Sequence, residues 1–465
     1  MSRFSLRHAA HAPGARSTGA GVRLVVASGL ALCAQACGDT PTNSVAALMP
    51  LTFVYAFEPG LIYAYQIDAN GHVSGVGGSR FRVADRQWNR VVADPGGRFL
   101  FATVEEPGEI WVYALDAVTG MPSLLSGSPF TPRAPHALHA AVIAPLSPYL
   151  YLPGEPGPNL RGDVTAFHID PAEGTLSEIE ASPFRAGFAP YRIWVDPEGR
   201  YLYVANNGAP NRKQSLAVYG IDPASGVLTA VPGSPYETIT FAGYLQFHPS
   251  GQFLYATADR FFLPYRIGAD GSLSPLPVPT EPAAAAAGAY IRALSVTADG
   301  RFLHAVEDSG WVITYGIDAD SGVLSFVGET RGSDGFGASA FHWSEPLAVF
   351  LGSQTVALSV QRVDANRGSL IDAGAPVALA AGLKPHAAGG ALFLDASGGI
   401  VCVVADDSRP ASSSGVRLLT YRLATSGALA GPLEESPVGE GSSPGIVVVR
   451  RGMFAASGAV GAGVP

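Results

Sequence analysis

Acidic side chains return at one place in this chain, at a spacing that could support chemistry. Glu105, Glu155, Asp259, Asp308 and Asp406 each follow a short apolar run such as "FLFATV" or "FLHAVE". The same column holds Asn207 after "YLYVAN" and Gln354 after "AVFLGS". Five acids in seven positions are many for a chain that is only 14% charged. Two explanations stay open. Asp and Glu suit exposed turns because their side chains hydrogen-bond nearby backbone. Alternatively, the acids ring a mouth whose field favours a cation or a polyhydroxylated sugar and repels anions.

Other chemistries find no support. "DADSG" (318–322), "DPASG" (222–226) and "DAVTG" (116–120) lack the alternating ligands and terminal Glu of a calcium loop, and they recur where hairpins must turn. His136 and His139 have no zinc spacing, and no metal or cofactor is expected. There is no phosphate-binding G-x-x-x-x-G-K-S/T and no G-x-S-x-G elbow. A net charge of −9 with no basic run in the globular part argues against nucleic acid as a partner.

The elements that would position these residues are written as a repeat. "ADPGGRFLFATVE", "VDPEGRYLYVANN", "FHPSGQFLYATAD" and "VTADGRFLHAVED" are one phrase. Gly199 to Gly251 spans 52 residues, Gly251 to Gly300 spans 49, and worn copies lie near 149 and 348. A period of about 50 is in the range of propeller blades. Each unit reads as four strands: "YRIWV" (191–195), "YLYVA" (201–205), "LAVYGID" (216–222) and "VLTAV" (227–231). The 56 Gly and 37 Pro fit short strands joined by tight turns. Such a four-stranded antiparallel meander cannot bury both faces alone, so copies must stack around an axis.

Second strands are expected near 53, 99, 149, 201, 253, 302, 348 and 400, which makes eight blades in an all-β propeller. "FVYAF" (53–57) lacks a first strand, and "GIVVVRR" (445–451) is a first strand without successors. The two termini should therefore complete one blade together. In a meander the start of the first strand and the end of the second share an edge, so the acid column and Arg292 should share a face. Trp111, Trp194 and Trp311 fall on strands as packing residues, and Cys402 in "GIVCVVAD" reads as a buried small hydrophobe.

Residues 1–37 read as an export signal, 38–50 as a linker, 51–451 as the propeller and 452–465 as a disordered tail. Arg3, Arg7, Arg16 and Arg23 precede an apolar stretch from Leu24 to Ala36, too short for the roughly 20 residues of a membrane span. Cys37, between Ala36 and Gly38–Asp39, resembles a bacterial lipoprotein cleavage site, although Ala34–Gln35 departs from the usual pattern. The expected protein is exported and lipid-anchored to the cell envelope through Cys37. Plain signal-peptidase cleavage, giving a periplasmic or secreted protein, is the alternative. Beyond this region a single thiol remains, so the domain is held by packing.

The phrases "DPEGRYLYVANN", "VYGIDPASGVLTAV" and "GSPF"/"GSPY" resemble the lactonase family of β-propellers, which includes a phosphogluconolactonase and a fungal muconate-lactonising enzyme. Members are usually seven-bladed. The resemblance implies a site of one His, two Arg and a Glu near the channel mouth. "LHAAVIAPLSP" places the His at His139, and "IRALSVTADG" places one Arg at Arg292. In "PYRIWVDP" the other Arg column holds Tyr191, with Arg192 one residue late, and the Glu column holds Asn207. Lactone opening needs a base to activate water and donors for the carbonyl oxygen. Asn207 cannot move a proton in that role. Two classes therefore stand: hydrolysis of a small lactone or related ester by His139 and Arg292, or non-catalytic binding of a sugar-like ligand or a protein by the acidic face.

Overall fold

The computed structural model describes residues 52–450, apart from 134–136, 139, 156–160, 209–212, 240–241, 259–260, 280–288, 387–391, 396, 410–414 and 440–444. Cys37, His139, Asp259 and the two terminal segments lie outside the described residues. Among the described residues the strands form eight antiparallel sheets, each of four strands or four with short additions. Numbering blades by their second strands, blade 1 is built on Thr52–Glu58, blade 2 on Phe99–Val104 and blade 3 on Tyr149–Glu155. Blades 4 to 8 follow on Tyr201–Asn206, Phe253–Ala258, Phe302–Glu307, Leu347–Gly352 and Ile400–Asp407. Eight blades stand where the sequence counts eight.

Ring closure takes the form that the two termini imply. Strand Gly445–Arg450 is the innermost strand of blade 1 and pairs antiparallel with Thr52–Glu58, Phe53 opposite Val449 and Phe57 opposite Gly445. A ring closed this way joins the chain's two ends in one sheet and leaves no blade incomplete.

Burial falls from the middle of each blade outward. The second strands Phe99–Val104 and Leu347–Gly352 are buried at every residue, because neighbouring blades cover both faces. This is why they read as continuous apolar runs instead of alternating ones. Fourth strands such as Leu228–Ala230 bury their first residue only. Cys402 lies in the core of blade 8, where burial pushes its thiol well up and keeps it unreactive.

The D-x-x-x-G turns, which resemble calcium loops only faintly, have two structural jobs. Asp222 Oδ1 accepts hydrogen bonds from the backbone N–H of Ala224 and Ser225, at 3.0 and 2.8 Å, so its carboxylate is spent on its own turn. Gly226, at φ 70°, then docks the turn on the previous blade: a Cβ there would lie 2.4 Å from the Tyr149 ring. Tyr151 Oη donates to the Gly226 carbonyl at 3.0 Å. Tyr55 to Gly120 and Tyr255 to Gly322 repeat the strap. At the closing seam Thr420 Oγ1 makes the same bond to the Gly71 carbonyl at 2.6 Å.

Three blades lack the aromatic residue at one core position, with His304, Val349 and Cys402 in its place, and only His304 can titrate in the acid range. His304 stands where other second strands carry Phe101, Tyr151, Tyr203 or Tyr255, stacked on Phe341 and with Nδ1 3.1 Å from Thr314 Oγ1. Burial pushes its pKa down from 6.5 to about 4. A lowered histidine favours folding fully above the unfolded value, and that contribution is lost as pH falls from 6.5 through 4. The linkage is worth on the order of 3 kcal/mol. His304→Phe should therefore lose less stability than the native chain between pH 7 and pH 4 in denaturant titrations. Equal losses would show that His304 does not govern the acid limb.

Candidate channel-mouth site

Strand register builds the site. In five blades the first strand carries a bulge near its start, where the register skips one residue. These residues are Asn89, Tyr191, Gly243, Arg292 and Gly337. The residue before each bulge pairs with the second strand at a fixed place: Trp88 with Val104, Pro190 with Asn206, Ala242 with Ala258, Ile291 with Glu307, Phe336 with Gly352. A bulge twists its strand and re-aims the extra side chain, a common device beside functional sites. The next residue outward on the second strand is the acid column, so each of these five blades offers one bulge residue and one column residue at the same edge.

Blade 8 occupies the same register differently. Pro385 pairs with Ala405 and Lys384 with Asp406, and then the first strand breaks. His386 N–H donates to the Val404 carbonyl at 3.2 Å, and Leu392 pairs with Val403. His386 thus takes the bulge position and Asp406 the column position. In blade 3, Leu138 pairs with Gly154 and Ala137 with Glu155, and the first strand breaks again before Val142. The next residue in sequence there is His139.

Two of these paired positions bring a basic side chain against a carboxylate. Arg292 Nη2 lies 3.4 Å from Asp308 Oδ2, the side chains 46% and 34% exposed, with the guanidinium over the Tyr290 ring. His386 Nδ1 lies 2.5 Å from Asp406 Oδ1; the imidazole is 0% exposed and the carboxylate 39%. Because a carboxylate only accepts, Nδ1 carries the hydrogen, and in the neutral imidazole Nε2 then carries the lone pair. That Nε2 is buried without a hydrogen-bond partner.

Blade 4 pairs two neutral groups instead. Tyr191 is 50% exposed, and the Asn207 side chain is exposed while its backbone N–H donates to Ala189. Arg192 turns toward blade 5, where it donates to the Gly243 carbonyl and lies over the Tyr244 ring. Burial holds the Arg90 guanidinium below its ordinary range, and the nearby Arg192 charge adds to that. Glu105 is exposed at the rim, and the Glu155 backbone ends its strand at the matching place. The acids are therefore not a uniformly bare ring: Asp308 and Asp406 are each engaged by a cation or imidazole.

One member of the column shifts by a residue. The second strand of blade 7 begins at Leu347, so Ser353 and not Gln354 follows Gly352 in the column. His386 is the group that sequence reasoning passes over, and a signal for it exists. "LHAAV" (138–142) and "PHAAG" (385–389) place the same H-A-A phrase after equivalent residues. Among the described residues, no cluster of three His, Cys, Asp or Glu side chains could hold a metal ion. A cavity of about 270 Å³ lies among Ile62, Phe81, Tyr113 and Leu124 on blades 1 and 2, lined by none of the mouth residues.

A family model described as "Lactonase, 7-bladed beta-propeller" matches residues 136–261. No curated protein sequence matches this chain. Among solved structures, the periplasmic gluconolactonase PpgL of Pseudomonas aeruginosa is 20% identical, covers 71% of this chain and 96% of its own, and superposes with a TM-score of 0.51. A Bacteroides fragilis protein provisionally assigned as a 6-phosphogluconolactonase is 16% identical, with 73% and 97% covered and a TM-score of 0.51. Sqt1 from Chaetomium thermophilum is 15% identical, with 80% and 93% covered and a TM-score of 0.53. Likeness at this level shared with Sqt1 speaks for the fold and leaves activity to the mouth residues. The described residues form an eight-bladed β-propeller, of which residues 136–261 match the lactonase propeller family.

Proposed function

We propose that this propeller hydrolyses a small lactone or related ester at its channel mouth. The observation that supports this most is Arg292, bulged from an innermost strand at the mouth and half exposed beside Asp308. An exposed pair of this kind contributes little, on the order of 1 kcal/mol or less. The guanidinium can therefore turn to a ligand's carbonyl oxygen as that oxygen gains charge. PpgL is a gluconolactonase of the same fold, which makes lactones the first class to try. The test is turnover of a panel of neutral and acidic lactones by the purified protein. Neutral lactones should be preferred, because Glu105, Asp308 and Asp406 give the rim its negative charge. Background rates across the whole panel would remove this reading.

A second reading has one observation in its favour. Tyr191 and Asn207 leave blade 4 without the Arg and Glu that the family resemblance implies, so a non-catalytic mouth binding a sugar-like ligand or a protein is the alternative. Binding without turnover in the same panel would select it.

The address is proposed from the sequence alone: export, cleavage before Cys37 and lipid anchoring without a membrane span. Mass spectrometry of the mature protein should find a lipidated Cys37 at the N-terminus. An unmodified protein beginning elsewhere would favour simple secretion.

A further inference from the structure

We propose that His386, held by Asp406, is the base that activates water in the hydrolysis suggested above; the inference rests on that hydrolytic reading. His386 is fully buried, its Nδ1–H is committed to Asp406, and its Nε2 is a buried acceptor with nothing to accept from. Leaving such a group unsatisfied is unfavourable. The partner it requires is a donor, and a water molecule is the smallest one. A lone-pair nitrogen oriented by a carboxylate is also the arrangement that takes a proton from attacking water.

The setting agrees with that role. His386 lies at the break in blade 8's first strand, at the register position that Arg292 occupies in blade 6. Between them blade 7 presents Gly337, where a Cβ would come within 2.8 Å of the Leu351 carbonyl and 3.1 Å of Pro385. The mouth position between the imidazole and the guanidinium therefore carries no side chain. Asp406 reaches solvent at the rim while the imidazole stays behind it, which shields the base from bulk water. Blade 4, with Tyr191 and Asn207, supplies no proton acceptor, and blade 8 supplies one.

The chemistry balances without a cofactor. Water oxygen forms a bond to the lactone carbonyl carbon as Nε2 takes one of its protons, and Arg292 donates to the resulting oxyanion. As the carbonyl re-forms, the bond from that carbon to the ring oxygen breaks, and the leaving oxygen takes the proton from Nε2. The product is the open hydroxy acid, and the imidazole returns to its starting form. Asp406 touches no reacting atom; it is a positioning residue that fixes which nitrogen holds the lone pair.

The test uses the full chain with δ-valerolactone and δ-gluconolactone. His386→Gln keeps a donor for Asp406 and an acceptor oxygen but has no basic nitrogen. It should lower kcat by about 100- to 10,000-fold with KM changed less than about threefold. Asp406→Asn, at a part-exposed site, should lower kcat in the same direction, and Asp406→Glu should recover part of it. Circular dichroism and Tm monitor folding, and should His386→Gln fail to fold, the kcat of Asp406→Asn decides. Turnover that survives these substitutions within a few-fold overturns the role of His386 and leaves the hydrolytic reading intact. A native protein that opens neither lactone overturns both.

Discussion

A chain ending at residue 444 is expected to lose cooperative folding altogether, whereas one ending at Arg451 should behave like the full protein. The strand removed, Gly445–Arg450, makes six register pairs with Thr52–Glu58. Its Val449 packs in a core cluster with Phe53, Tyr55 and Phe57, and its Val448 packs against another with Val54 and Ala56. Fully burying an aliphatic side chain is worth about 1.5 to 3 kcal/mol, and with Val449 buried and Ile446, Val447 and Val448 partly so, the strand's loss takes a large share of the 5 to 15 kcal/mol by which whole domains are stable. Arg450 adds a hydrogen bond from Nε to the Leu394 carbonyl of blade 8, at 2.9 Å. The loss would also bare an inner edge of a fully buried strand, inviting aggregation. Thermal melts and size-exclusion chromatography of the two truncations decide the matter. A chain ending at 444 that melts cooperatively near the native Tm would mean that blade 1 does not need its C-terminal strand.

The fold was legible because its punctuation is local. Asp94 and Asp196 each accept backbone N–H groups five residues on, Phe99 at 2.6 Å and Tyr201 at 2.8 Å, so every D-P-x-G phrase marks a hairpin by its own chemistry. Where the chemistry changes, the sequence misplaces the strand. "HWSEP" has no turn glycine; His342 Nδ1 accepts from the N–H groups of Ser344 and Glu345 instead, and the strand begins at Leu347, one residue earlier than the repeat suggests.

The mouth was legible only as a column. Its acids follow from counting along second strands, but the bulges opposite them depend on pairing between segments whose register no local signal records. His386 is the clearest case. Fourteen residues separate it from Ile400, against ten between His139 and Tyr149, so the repeated H-A-A phrase falls out of step. The pairing of Pro385 with Ala405 restores the equivalence.

Rebuilding blade 4 should raise lactone turnover by one to several orders of magnitude wherever a base is what limits the mouth, most of all once His386 has been replaced. Register places Tyr191 and Asn207 in blade 4 where Arg292 and Asp308 stand in blade 6, since Pro190 pairs with Asn206 as Ile291 pairs with Glu307. Tyr191→Arg with Asn207→Glu would therefore put a cation–carboxylate pair where two neutral side chains now stand. Both side chains are exposed, so the substitutions should cost little stability. The added carboxylate supplies a proton acceptor, a change on the order of 100- to 10,000-fold when it is well placed. Arg292→Ala should abolish the gain, because the oxyanion would lose its donor. Placed in the His386→Gln background, the same two substitutions should restore turnover from a different blade. That recovery would separate a mouth that lacks only a base from one that never bound a lactone. A folded double variant at background rate in both settings would leave binding, and not hydrolysis, as the work of this face.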